Sequence, residues 1–104
     1  MAAGTENATA PTAITVGTGL VQLLAGTPGY RRSLVIQNVH ASNDLFLGFF
    51  PTGTDATGAA ALTTGTGIRI PAGGSFIDNS PNAFSGAVYG RASASGTDVR
   101  VLAF

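Results

Sequence analysis

The chain has no lysine, no cysteine and no tryptophan, and only ten of its 104 residues carry charge, five acidic and five basic. An average soluble domain carries about 25% charged residues. Without cysteine there are no disulfide staples and no thiolate metal sites, and a single histidine, His40, removes the usual zinc clusters and most nucleophile–base pairs. No cofactor is expected. Small β-rich proteins normally keep apart from their copies with lysines and charged edges. A lysine-free chain of zero formal net charge is best kept soluble if neighbours occupy much of its surface. The composition points first to a part of an assembly.

Other absences narrow the reading further. No stretch approaches the roughly 20 apolar residues of a membrane-spanning helix. The opening Met1-Ala2-Ala3-Gly4-Thr5-Glu6 has neither a basic n-region nor an apolar h-region, so no signal peptide and synthesis in the cytoplasm are expected. Balanced charge and a pI near 6.5 suggest neither a nucleic-acid stripe nor an anionic-membrane patch.

What is present is strand-and-turn grammar. Runs of valine, isoleucine, leucine and phenylalanine are separated by glycine, proline, asparagine and threonine. These runs predict eight short strands: Thr12–Val16, Leu20–Ala25, Ser33–Val39, Asp44–Phe50, Thr66–Pro71, Gly74–Asp78, Gly86–Ala92 and Asp98–Ala103. Period-two alternation is clearest where Leu34, Ile36 and Asn38 oppose Ser33, Val35 and Gln37, where Ile68 and Ile70 flank Arg69, and where Val99 and Val101 flank Arg100. One apolar and one polar face per strand implies antiparallel sheets packed on one side. The expected fold is all-β: a single antiparallel β-sandwich or jelly-roll-like domain over residues 13–104, preceded by a flexible arm at 1–12. Pro71-Ala72-Gly73-Gly74 and Ala41-Ser42-Asn43-Asp44 read as hairpin connections. Residues 51–65, rich in threonine, glycine and alanine, read as a long flexible loop. Their threonine–glycine repeats are too few for an ice-binding or sugar-binding array.

Candidate contacts follow from the same reading. The adjacent Arg31 and Arg32 could bind a carboxylate, a phosphate or a partner's acidic edge, or form a solvated strand entrance. Leu45, Phe46, Leu47, Phe49 and Phe50 are hydrophobic on both strand faces. One face should enter the core, and the other should dock on a neighbouring subunit or lie under the long loop. Phe104 places a large aromatic at the end of the chain. His40 follows a strand and precedes a turn, and no carboxylate cluster or H-x-x-x-H spacing accompanies it. Asp44, Asp55, Asp78 and Asp98 are scattered over turns and strand ends, and no G-x-S-x-G elbow is present, so enzymatic activity and a small-molecule substrate are not expected.

The segments R-R-S-L-V-I-Q-N (31–38), F-L-G-F (46–49), G-I-R-I-P-A-G-G-S-F (67–76) and V-Y-G-R-A-S-A-S-G-T-D-V-R-V-L (88–102) resemble small β-sandwich virion proteins of tailed bacteriophages. The resemblance spans residues 31–102 and consists of strand and turn residues, with no catalytic signature. It implies a capsid decoration or cement protein in the virion, a symmetric oligomer with the trimer favoured, whose partners are the major capsid protein and copies of itself. A fibre, tail or carbohydrate-binding module is the alternative, although tyrosines for a sugar platform are limited to Tyr30 and Tyr89.

Overall fold

The computed structural model describes residues 11–27, 31–79 and 83–103. Among these residues there are eight strands: β1 (Thr12–Val16), β2 (Val21–Leu24), β3 (Leu34–Asn38), β4 (Leu45–Phe50), β5 (Ile68–Ile70), β6 (Ser75–Asp78), β7 (Ala87–Ala92) and β8 (Thr97–Ala103). They form two four-stranded antiparallel sheets, ordered β1-β8-β3-β6 and β2-β7-β4-β5. The first is called sheet I and the second sheet II. Every connection except β4–β5 crosses from one sheet to the other, which is the wiring of an eight-stranded jelly roll.

Alternation decides what fills the space between the sheets. Val16, Leu34, Ile36, Val99 and Val101 from sheet I meet Leu23, Leu45, Leu47, Ile70, Val88 and Ala92 from sheet II in one buried cluster. Each large aliphatic side chain so buried contributes about 1.5–3 kcal/mol. Phe49 closes one end of this layer against Phe76, with ring centroids 5.0 Å apart, and meets Phe84 edge-on at 5.3 Å.

Both connections read as hairpins are instead crossovers between sheets. Residues 39–44 carry the chain from β3 in sheet I to β4 in sheet II, and residues 71–74 carry it back from β5 to β6. The 71–74 turn has the local chemistry expected of it: Gly74 N–H donates to the Pro71 carbonyl at 2.8 Å, and Gly73 takes a φ of 78°, which only glycine adopts cheaply. A tight turn sets the chain's reversal. It does not set which sheet receives the next strand.

A fully buried asparagine holds these crossovers together. Asn38 follows Leu34 and Ile36 on the inward face of β3 and is completely enclosed. Its Nδ2 donates to the carbonyls of Asn43 (2.8 Å) and Ile70 (3.0 Å), and its Oδ1 accepts the His40 N–H (3.1 Å). Its backbone pairs with the 71–74 turn, accepting from Gly73 N–H and donating to the Gly74 carbonyl, both at 2.9 Å. The β3–β4 connection, β5 and the β5–β6 turn are thus tied to one residue. Every polar group of the buried amide has a partner, as burial at this depth demands.

Replacing Asn38 by the near-isosteric aspartate turns a carboxylate oxygen towards two carbonyls. Urea denaturation of Asn38→Asp should show a loss of roughly 2–4 kcal/mol at neutral pH. Burial and the facing carbonyl dipoles raise the folded-state pKa of the introduced acid. The folded variant then binds more protons than the unfolded chain, so part of the loss should be regained as pH falls.

Candidate functional site

The surface of the sandwich divides into two unlike faces. The outer side of sheet II is covered by the protein's own chain. Along β4, Leu45, Leu47 and Phe49 point into the main core, while Phe46, Gly48 and Phe50 lie on the opposite side with Ala87 and Tyr89 of β7. The 51–67 connection folds back over this side. Ala59 and Leu62 pack with Ala87, Tyr89, Leu20 and Phe50 in a second small core. Tyr89 is buried, donates its hydroxyl to the Thr54 carbonyl at 2.8 Å and meets Phe50 edge-on at 5.9 Å.

The 51–67 connection, which contains the 51–65 stretch read as a loop, packs as a cover over this side. Its threonines act as local staples. Thr54 Oγ1 donates to the Pro51 carbonyl (2.7 Å), Thr66 Oγ1 donates to the Ala61 carbonyl (2.8 Å), and Thr66 Oγ1 accepts the Thr63 N–H (2.9 Å). Asp55 accepts the Gly58 N–H at 2.9 Å, a local cap of the kind that fixes turns. Where the cover meets the strand there is no room for a side chain: a Cβ on Gly67 would lie 2.8 Å from Phe46 Cβ and 2.7 Å from Leu62 Cδ1. Beside the cover an open apolar cleft of about 380 Å³ is lined by Leu47, Phe49, Phe50, Leu62 and Ile68.

Among the described residues, no segment covers the outer side of sheet I. The register places Ile77, Val35 and Leu102 in one row across it, and Ser75, Gln37, Arg100 and Ala13 in the next. Ile77 is 57% exposed. A shallow groove of about 320 Å³ runs between Pro11, Ala13, Val35, Gln37, Arg100 and Leu102. Among the described residues, the charges on this face are Arg100 and Asp98, bonded to each other.

The residues expected to contact a partner are placed very differently from one another. Arg31 is inside the molecule, 4% exposed. Its Nη1 donates to the carbonyls of Phe84 (2.8 Å) and Gly86 (3.1 Å), and its Nη2 donates to that of Ala25 (2.6 Å). Desolvation lowers its pKa from the ordinary arginine value, and as an arginine it remains charged. It is an internal clamp between the β2–β3 and β6–β7 connections and is not a docking group. Arg32, its neighbour, is exposed. Leu45, Phe46 and Leu47 are buried in the chain's own packing, and Phe49 and Phe50 are half-buried in it. The second face of this strand lies under the 51–67 cover, so no subunit is needed to hide it. Phe104, Tyr30 and residues 1–10 of the arm fall outside the described residues, and Thr12, counted both in the arm and in the first predicted strand, opens β1 as that strand reading had it.

The remaining polar groups serve the fold. His40 Nδ1 accepts from the backbone N–H groups of Ser42 (3.0 Å) and Asn43 (2.9 Å), capping the β3–β4 turn. Asp44 holds Arg69 through a 3.0 Å contact, and Asp78 accepts the Phe84 N–H at 3.1 Å. Among the described residues no three histidine, aspartate or glutamate side chains gather as metal ligands. Sequence reasoning missed the roles of Asn38 and His40, although Asn38 stood at an inward position of the best-patterned strand. No family model, curated protein or solved structure matches this chain.

Two substitutions separate the clamp from the cover. Arg31→Met leaves the carbonyls of Ala25, Phe84 and Gly86 without their donor and should cost about 3 kcal/mol or more in denaturant unfolding. Leu62→Ala should cost about 2–3 kcal/mol. Its hydrogen exchange should rise at the Ala59 and Leu62 amides while the β3 and β8 amides remain protected.

Proposed function

We propose that this protein is a non-enzymatic structural component of a tailed-phage virion, a decoration protein that binds the outer capsid lattice as a symmetric oligomer and stabilises the head. The observation that carries this reading is the outer side of sheet I, which no described segment covers and where apolar Ile77, Val35 and Leu102 lie beside a charge pair that neutralises itself. Among the described residues, each acidic side chain is engaged within the domain, and of the arginines only Arg32 and Arg91 lack an acid or carbonyl partner. Such a surface repels neighbours weakly. Many copies, each burying a modest area, add stabilisation by multivalency rather than through one strong site.

The jelly-roll wiring is compatible with this reading, since viral capsid domains use it, as do lectins and cupins. That is analogy at the level of fold. The segments that resemble phage virion proteins include β3 with its flanking Arg31, and β8, so they coincide with the structural frame of the domain. A carbohydrate-binding tip is less well supported, because Tyr89 is buried with its hydroxyl committed to Thr54.

Quantitative mass spectrometry of purified particles tests the proposal through the copy number of this chain relative to the major shell protein. Hundreds of copies per particle are expected. A few to a few tens would place it in a fibre, neck or tail, and none would remove it from the virion. Arg32→Glu should lower occupancy without altering the fold, whereas unchanged occupancy would take Arg32 out of the contact.

A further inference from the structure

Each sheet has two outer edges, and three of the four carry a feature that discourages pairing with another chain. β5 is three residues long with Arg69 at its centre, β6 is four residues long and ends on Asp78, and β2 is broken by a bulge between Gln22 and Leu24. Short length, charge and bulges are the ordinary defences of an exposed edge. β1 has none of them. Its five residues, Thr12-Ala13-Ile14-Thr15-Val16, are uncharged and mostly β-branched, and pair with β8 in an unbroken five-residue register. Among the described residues, no other segment pairs along its free side.

We propose that β1 is a self-association edge: two copies pair β1 with β1, antiparallel about a two-fold axis, so that their two sheets I become one continuous sheet. The inference stands on edge chemistry and does not depend on the virion reading. Full overlap sets Thr12 of one copy opposite Val16 of the other and Ala13 opposite Thr15, with Ile14 facing its own counterpart. No charge meets a like charge along the seam. The flanking rows bring no like charges together: Ala13 is in register with Arg100 and Thr15 with Asp98, which are already bonded to each other within each copy, and each joined row runs from the arginine of one copy to the aspartate of the other. At about 4.8 Å per strand the two ends of that row are about 14 Å apart, with only the small Ala13 and Thr15 side chains between them. An isologous contact of this kind closes on itself and does not propagate into a filament. It gives a dimer, not the trimer implied by the sequence resemblance.

Sedimentation velocity of the full chain tests this directly. The wild type should pass from the 10.3 kDa monomer to a dimer of twice that mass as concentration rises. Ala13 and Thr15 are exposed, so substitutions there leave the core untouched. The double variant Ala13→Lys, Thr15→Lys sets lysine against lysine in both rows and should remain monomeric with an unchanged melting temperature for the monomer. Ala13→Lys, Thr15→Asp sets lysine against aspartate and should dimerise again. A wild type that stays monomeric at its highest soluble concentration, a wild-type trimer, or a lysine–lysine variant that still dimerises would overturn the proposal. None of these outcomes bears on the particle copy number, so the two readings fail separately.

Discussion

The constraint on which the molecule depends is that nearly all its connections cross between sheets, so each end of the sandwich is a meeting place of loops with backbone groups to satisfy. One strand carries the solution for both ends. β3 is preceded by Arg31, whose guanidinium gathers carbonyls of the β2–β3 and β6–β7 connections, and ends on Asn38, whose amide gathers those of the β3–β4 connection and β5. Between these two polar clamps lie Leu34 and Ile36, both fully buried. The strand thus combines the dry packing that holds the layers together with the hydrogen bonds that hold the ends shut. A buried side chain of either kind is costly if a partner is lost, which makes the loop arrangement specific as well as stable.

The eight strands were legible because each announces itself locally, by alternation and by the turn residues around it. Placing a strand in a sheet is a different problem. Pro71 to Gly74 forms the tight turn its residues demand, yet β5 and β6 end up in opposite sheets because their neighbours, β4 and β3, are already there. The double-sided apolarity of β4 was equally visible, and two covers for its second face were conceivable. Only the fold shows that the 51–67 segment supplies one. Arg31 and Arg32 show the limit most clearly: two identical adjacent residues, one buried among carbonyls and one in solvent, with nothing in the dipeptide to distinguish them. Asn38 was different. Its inward phase was readable, and an amide at such a position must find buried partners.

The contrast between the two outer faces bears on the shortage of charge. Sheet II is packed over by its own 51–67 segment. Sheet I, among the described residues, presents aliphatic side chains and one internally neutralised pair. A protein whose surface were evenly solvated would not divide its faces in this way, and the division is what gives the proposed assembly role its physical content. The surface ion pairs themselves contribute little to folding.

The cover over sheet II has its own small core, separate from the one between the sheets. Drift within 51–67 is therefore judged against a handful of residues such as Ala59, Leu62, Tyr89 and Phe50, and not against the sandwich as a whole. The tips around Ala56 to Gly58 and Thr64 to Gly65 answer to still fewer. Related chains can thus diverge in this cover while keeping the same frame, and a foreign peptide grafted at either tip would be displayed on a scaffold that does not depend on its sequence.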